Sequence, residues 1–480
     1  MIDRREVMEF AREFGLRPDI IEKDYLLGWV LASIASHPET RTQWAFKGGT
    51  CLKKCYFETY RFSEDLDFTL TAPAHLDQAF LVEAFLGIAD WIYEAAGIEL
   101  PKDTLRFDIY QNRRGGMSAE GRIGYRGPLQ RRGDPARIKL DLTTDELLLL
   151  PPVAREVHHP YSDRPEKGIT TLCYCFEELF AEKIRALAER ERPRDLYDVV
   201  QLYWHEGLRP DRDLLVNTLA RKCAFKGMAV PTLETLTSNP KRAELESEWA
   251  NMLAHQLPAL PPFAHFWNDL PELFQWLQGT AERATRSTIH VPAEAVDITW
   301  RPPAMAHAWH TAMPLEVIRF AAANRLCVDL AYQGSHRLIE PYALRRTRDG
   351  NLVLSAVKHA TGDIRSYRVD RVQSAVATTE SFIPRYAIEL NPAIPVAAAA
   401  TPRFISPISH SKRPISPPTG SRKQTSVGPK YLFRCSRCGK QFSRRSYDAS
   451  LKPHKNTYGQ PCPGRIGRAI ALKIHYKSIG

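Results

Sequence analysis

Arg61-Phe-Ser-Glu-Asp-Leu-Asp-Phe68, continuing as Thr69-Leu70, decides the reading of this chain. From Asp65 the run alternates polar and apolar residues, the pattern of a strand with one buried face. Strand side chains repeat every two residues, so Asp65 and Asp67 project together from the other face. Paired carboxylates raise each other's pKa unless a cation sits between them. Mg²⁺ suits such a pair, because it is held by one or two carboxylates together with substrate phosphates. Upstream, Lys47-Gly-Gly-Thr50 opens a segment of helical character, Cys51-Leu-Lys-Lys-Cys-Tyr-Phe57. Gly48 and Gly49 let the backbone approach a ligand, and the unpaired N–H groups of a helix start favour an anion. A phosphate cradle beside a metal-binding strand is equipment for handling a nucleotide.

Further along, Arg137-Ile-Lys-Leu-Asp-Leu-Thr143 alternates as well, with Lys139, Asp141 and Thr143 sharing its polar face. Val7, Phe10, Ala11 and Phe14 mark an N-terminal helix, and Phe80 to Ala96 predicts a second. The Gly- and Arg-rich stretch from Arg113 to Arg126 predicts a mobile hairpin or loop. Phe176 to Ala188 reads as a helix whose apolar stripe includes Lys183. A lysine facing a core needs an anionic partner, either a carboxylate or a bound phosphate. Pro193 starts another helix with Asp195 and Asp198 on one face.

Glu22-Lys-Asp-Tyr25, Phe46-Lys-Gly-Gly-Thr50, Arg61-Phe-Ser-Glu-Asp-Leu-Asp67, Ala181-Glu-Lys183 and Arg194-Asp-Leu-Tyr-Asp198 follow one another in this order. Together they resemble the AbiEii/AbiGii toxin-like nucleotidyltransferases. The resemblance implies an α+β fold, with residues 1–282 forming a minimal polymerase-β-like nucleotidyltransferase that ends in a helical part. It also implies that Asp141 completes a Mg²⁺ set with Asp65 and Asp67, and that Lys183 acts at the catalytic site. Lys47, Gly48, Gly49, Thr50 and Ser63 would meet the nucleotide. Asp195 and Asp198 would anchor Lys183 or bind the nucleotide. The activity implied is that of a toxin in a two-gene toxin–antitoxin or phage-defence system. It would transfer NMP from an NTP to RNA such as tRNA, with a separately encoded antitoxin as partner.

Strand signals take over beyond a polar, linker-like stretch near 280–295: Val328–Tyr332, Asn351–Val357 and Arg365–Val372 are separated by turns. With Glu340-Pro-Tyr-Ala-Leu344, they resemble a WYL domain, a small SH3-like β-barrel, over residues 300–390. Leu352-Val-Leu354 stands where the family's naming tripeptide would be. The resemblance implies a nucleotide or nucleic-acid sensor, with Arg345, Arg346, Arg365, Arg368 and Arg371 as candidate contacts. Residues 391–430, rich in Pro, Ser and Ala, predict a disordered tether.

The tail carries Cys435-x₂-Cys438-x₁₅-His454-x₇-Cys462. Three thiolates and one imidazole fill the tetrahedron of a structural Zn²⁺ site, which predicts a zinc knuckle over 431–468. Residues 401–480 hold 17 Lys/Arg against the single acid Asp448, so +16 lies in the tail and −5 in the first 400 residues, for a net +11. Cations interleaved with Phe433, Phe442, Tyr447 and Tyr458 predict an RNA or DNA surface. Cys51 and Cys55 stand at i,i+4 on the helix after the Gly-Gly-Thr turn, where packing is favoured over ligation, and Cys173, Cys175, Cys223 and Cys327 have no metal-ligand spacing; these predict buried, silent thiols. No apolar run approaches the roughly 20 residues of a membrane span, and a cytoplasmic protein is expected. Two other readings compete: a nucleic-acid-binding regulator with a degenerate transferase fold, and a transferase that modifies a protein or small molecule.

Overall fold

The alternation around Asp65 and Asp67 becomes strand β2 (Asp65–Leu70), in the middle of a seven-stranded mixed sheet. Its other strands are β1 (Trp44–Lys47), β3 (Arg106–Gln111), β4 (Met117–Tyr125), β5 (Ala136–Thr143), β6 (Val153–Glu156) and β7 (Thr170–Cys173). Their order is β3-β4-β5-β2-β1-β7-β6. This computed structural model describes residues 1–111, 115–130, 133–290, 296–297, 300 and 315–394. In the tail it describes 430–435, 438, 440–444, 452, 454–455, 461–462 and 467–473. Two compact units result, residues 1–401 and 402–480.

One face of the large sheet is apolar. Leu66, Phe68, Leu140 and Leu142 are buried to 1% exposure or less. Each such side chain contributes roughly 1.5–3 kcal/mol when taken from water. The Gln78–Ala96 helix packs on this side, where Phe85 meets Phe107 with ring centroids 5.0 Å apart and Trp44 at 6.2 Å. Asp77 caps that helix by accepting the Phe80 N–H. The helices Phe176–Arg190 and Pro193–Trp204 cover part of the opposite, polar face.

The stretch expected as a hairpin or loop from Arg113 to Arg126 is the second arm of a hairpin, strand β4; residues 112–114 lie outside the described residues. Its glycines do not loosen it. A Cβ on Gly121 would stand 2.8 Å from the Phe107 ring, so glycine there serves close packing.

In the same unit the Leu315–Ala323 helix precedes five antiparallel strands, β8 (Leu326–Tyr332), β9 (Ser335–Arg346), β10 (Leu352–Lys358), β11 (Ile364–Arg368) and β12 (Val372–Ser381). Glu340-Pro-Tyr-Ala-Leu344 lies within β9, where Pro341 sits at a register shift opposite Ala356. The strand order is β11-β10-β9-β8-β12, and among the described residues the two outer strands share no ladder. An open sheet therefore stands where a closed barrel was expected. The linker-like stretch is packed as far as it is described: Arg286 pairs with Glu206 at 3.0 Å and donates to the Pro384 carbonyl, and Ile289 is buried. Of the expected tether, 391–394 runs against residues 56–57, with Ala393 bridged to Phe57 and Ile394 N–H donating to the Tyr56 carbonyl at 2.9 Å. Residues 395–429 lie outside the described residues.

In the tail unit β13 (Lys430–Cys435), β14 (Gln441–Arg444) and β17 (Gly467–Lys473) form a sheet in the order β14-β13-β17. The two short strands β15 (His454–Lys455) and β16 (Pro461–Cys462) pair His454 with Cys462.

Candidate active site

Parallel pairing of β2 with β5 places Asp67 directly beside Asp141 and Asp65 beside Lys139. The row continues across neighbouring strands, with Lys47 beside Asp67 on β1 and Glu120 beside Asp141 on β4. Register partners share a face, so the alternation in β2 and β5 gathers these groups at one place. Lys47, Asp65, Asp67, Lys139 and Asp141 open into a cavity of about 300 Å³, whose other wall is built by Glu182, Lys183, Arg190 and Asp195 from the two covering helices. Arg61, Ser63, Arg192 and Arg194 also line it.

Crowding of carboxylates has the expected electrostatic effect. Burial and the neighbouring Asp141 push the Asp67 carboxyl up to about 6, against the pull of Lys47 and Lys183. Burial also raises Asp65, with Lys23 and Lys139 opposing and Asp141 adding to the rise. Lys139 lies between the acids, 3.0 Å from Asp141 and 3.2 Å from Glu120. The whole lining carries eight cationic side chains and six acidic ones, so the acidic floor has a net-positive surround. That combination suits a polyphosphate bound with a divalent cation.

The Gly-Gly turn is shaped for close approach. Gly48 has φ 80°, and a Cβ on it would fall 2.1 Å from Asp67 Oδ2. A Cβ on Gly49 would fall 2.5 Å from Arg61 Nη2 and 3.2 Å from Ser63 Oγ. Behind the turn, the Leu52–Tyr56 segment is a π-helical turn, closed by Phe57 N–H donating to the Leu52 carbonyl at 2.9 Å.

The predicted residues divide into two groups. Lys47, Gly48, Gly49, Ser63, Asp65, Asp67, Asp141, Lys183 and Asp195 all line the cavity. Thr50 and Asp198 do not. Thr50 is buried, and its hydroxyl donates to the Asp65 carbonyl at 2.5 Å, tying the glycine turn to β2. Asp198 is fully buried and holds three partners: Arg61 through two bonds of 2.6 and 2.7 Å, Lys183 at 2.7 Å and the Tyr60 hydroxyl at 2.7 Å. Burial would raise its carboxyl, but Arg61 and Lys183 prevail and hold it well below the usual carboxylate range. Of the two partners open to Lys183, the structure supplies the carboxylate. Asp195 is engaged by Arg190 through bonds of 2.6 and 2.7 Å. Arg190, Arg192 and Arg194 were missed by sequence reasoning, although their clustering between Lys183 and Asp195 is a legible signal. Four of the five candidate arginines on the smaller sheet are already paired: Arg345 with Glu389, Arg346 with Asp297, Arg365 with Asp363 and Arg368 with Asp370.

Cys435, Cys438, His454 and Cys462 also converge, with their ligand atoms within 4.8 Å of one another. Cys435 and Cys462 sulfurs are 3.8 Å apart, the edge of a tetrahedron with bonds of about 2.3 Å. Cys438 Sγ lies 3.3 Å from His454 Nε2, while His454 Nδ1 is 3.0 Å from the Lys452 carbonyl, which leaves Nε2 as the ligand atom. Of the expected nucleic-acid surface, Tyr447 and Tyr458 lie outside the described residues. A second convergence has no counterpart in the sequence spacing: Cys51, Cys55 and Cys173 meet within the same limit, fully buried.

Residues 29–278 match the family described as nucleotidyl transferase AbiEii toxin, Type IV TA system, and residues 314–377 match the WYL domain. The first match covers more than half of the chain, which therefore belongs to the AbiEii family of nucleotidyltransferase toxins. It is a nucleotidyltransferase followed by a WYL domain. Among solved structures, MenT4, a nucleotidyltransferase toxin from Mycobacterium tuberculosis H37Rv, is similar at 18% identity and a TM-score of 0.39, covering 57% of this chain and 87% of its own. The proteasome accessory factor B/C of Arthrobacter aurescens is similar at 13% identity and a TM-score of 0.14, covering 75% and 70%. At these values neither likeness bears on activity. Comparison with curated proteins gives no match.

Proposed function

We propose that the cavity transfers a nucleotidyl group from an NTP to an RNA acceptor, tRNA-like or otherwise, in a Mg²⁺-dependent reaction. The observation that carries this reading is the Asp67–Asp141 register pair beside the Gly48-Gly49 turn, inside a cation-rimmed cavity. Asp65, Asp67 and Asp141 would hold Mg²⁺, and the burial and carboxylate repulsion that push Asp67 up fit a site made for a cation. When bound, the metal neutralises developing charge on the phosphates. The chain's own groups do the rest. The Gly48-Gly49 backbone and Lys47 receive the triphosphate, Ser63 and Arg61 border it, and Lys183 presents its ammonium from a position fixed by Asp198. An acceptor hydroxyl releases its proton to solvent as its oxygen bonds to the α-phosphorus, the bond from the α-phosphorus to the α–β bridging oxygen breaks and pyrophosphate leaves.

As a toxin of this type the chain would be neutralised by a separately encoded antitoxin and would serve phage defence. Among the described residues no helix is long and apolar enough to cross a membrane, in keeping with a cytoplasmic site of action. In the tail, Cys435, Cys438, His454 and Cys462 would hold a structural Zn²⁺ over residues 431–468, and the +16 charge would hold RNA or DNA by phosphate contacts. Residues 1–282, 300–390 and 431–468 are the proposed functional modules.

The direct test incubates the full chain with each labelled NTP, Mg²⁺ and total RNA, with DNA in parallel. Label should enter RNA with the wild type and not with Asp67→Asn. Transfer by Asp67→Asn at the wild-type rate would overturn the assignment.

A further inference from the structure

Residues 58–63 carry Arg61 and Ser63 into the cavity, and groups from beyond the 29–278 family match hold this segment from behind. Arg319, on the Leu315–Ala323 helix, is 3% exposed. It donates to Glu58 Oε2 and Glu316 Oε1 at 2.6 Å each, and to the Leu390 carbonyl at 3.0 Å. Glu58 and Glu316 are themselves only 5% and 3% exposed. On the other flank, Lys53 Nζ donates to the Glu58 carbonyl at 2.6 Å.

Buried ion pairs add little net stability compared with apolar replacements of similar volume, so stability alone does not account for this one. A guanidinium that gives one bond to each of three acceptors does supply a fixed position, because its planar fork sets the directions of all three. What it fixes matters here. Close after Glu58, Tyr60 and Arg61 bind Asp198, the partner of Lys183, and Arg61 Nη2 presses on Gly49 so tightly that a Cβ there would meet it at 2.5 Å. A displacement of Glu58 is therefore passed to Arg61, to the Gly-Gly turn and to Lys183.

We propose that Arg319 is a positioning residue for nucleotidyl transfer: by binding Glu58 it sets the path of residues 58–63, so that the WYL-matched region completes the transferase site. The inference rests on the cavity being the site of transfer.

The test uses the full chain with Arg319→Gln, Arg319→Lys and, as a control for lowered stability alone, Leu330→Ala in the core of the smaller sheet. Amide exchange across residues 57–63 is measured along with kcat and KM for the NTP, at a temperature where circular dichroism shows every variant folded. Arg319→Gln should speed exchange across 57–63 by about tenfold. It should lower kcat by about tenfold or more while KM moves less, since misplacement by ~1 Å is enough for such losses. Arg319→Lys should recover part of both effects, because it keeps the charge but not the fork. Leu330→Ala should lower Tm without changing either readout. Unchanged exchange across 57–63 in Arg319→Gln overturns the proposal whatever reaction the cavity performs, and faster exchange with wild-type kcat overturns it too. If Arg319→Gln does not fold, Arg319→Lys carries the test through the same two readouts. Failure of the transfer site itself is recognised separately, by retained transfer in Asp67→Asn.

Discussion

The carboxylate cluster of the large sheet and the thiol–imidazole cluster of the tail both gather side chains that could hold a metal, but different things hold those side chains in place. Asp67 and Asp141 stand on strands whose other face is a hydrophobic core, and Lys139 and Lys47 temper their charge from neighbouring positions. In the tail, the buried cluster among the described residues is Cys435 and Cys462 themselves, with Cys438 and Phe442 packed against them. In the first case the scaffold would precede the ion; in the second the ion would make the scaffold. On the proposed reading, a metal would serve as a reagent in one place and as a core in the other.

The largest effect should come from removing the metal proposed for the tail. Structural zinc binding in short basic modules is worth about 10 kcal/mol or more. Chelation or Cys435→Ser should therefore melt the tail strands, as followed by NMR of the Gly467–Lys473 region, while the Tm of the first unit stays put. The protein as purified should carry one zinc per chain by elemental analysis. A tail that keeps its strands in chelator would erase the contrast.

Next in size is Asp67→Asn. Loss of a metal-holding charge should reduce transfer by ~10³-fold or more, several kcal/mol in the barrier. Tm should not fall, because burial already disfavours the ionised carboxyl at that place. A marked drop in Tm would mean that this carboxylate also builds the scaffold.

Smaller again is Lys183→Met. The ammonium is the 2.7 Å partner of fully buried Asp198, so its removal should lower stability by about 1–3 kcal/mol in denaturant melts as well as weaken NTP binding. Arg61 stays on Asp198 and limits the loss. Unchanged stability would make the lysine an active-site group alone.

The smallest effect concerns Glu13, half-buried on the Arg4–Phe14 helix. Burial and Glu316 push its carboxyl up to about 7, while the N–H groups of Leu315 and Glu316 hydrogen-bond to it and Arg319 opposes the rise. Its folded value lies above its unfolded value, so stability falls as pH rises from about 4.5 through 7. Partial exposure screens this to below about 1 kcal/mol. Glu13→Gln should flatten that part of the stability–pH curve and raise Tm slightly at pH 8; an unaltered curve would remove Glu13 from the contact between the Arg4–Phe14 and Leu315–Ala323 helices.

The acids of the site were legible because a period of two is local: Asp65 and Asp67 declare a common face within one strand, and Asp141 does so within another. The register that sets Asp67 against Asp141 and adds Glu120 is non-local, and no pattern within a strand contains it. Arg61 was legible only as a motif residue. Its burial depends on Asp198, 137 positions away. Glu58 and Arg319 would each be read as surface charges; only their pairing across the chain allows both to be buried. Cys173 joins Cys51 and Cys55 because β7 runs beside β1, with Cys173 opposite Phe46, and linear spacing has no means of signalling that. Glycines between Arg113 and Arg126 were read as flexibility, yet at Gly121 the missing side chain makes room for Phe107.

The parallel pairing of β2 with β5 has a consequence for how this sequence can vary. Residues 71–135 form an excursion between the two strands, and whole turns could be gained or lost at its exposed tips without disturbing either. A single-residue deletion between Ala136 and Asp141 is another matter: one side of the strand would have to slip by one, which inverts the faces of its residues and turns either Asp141 or the residues before the deletion the wrong way. Length polymorphism among descendants of this chain should therefore concentrate in the excursion and stop abruptly at Ala136.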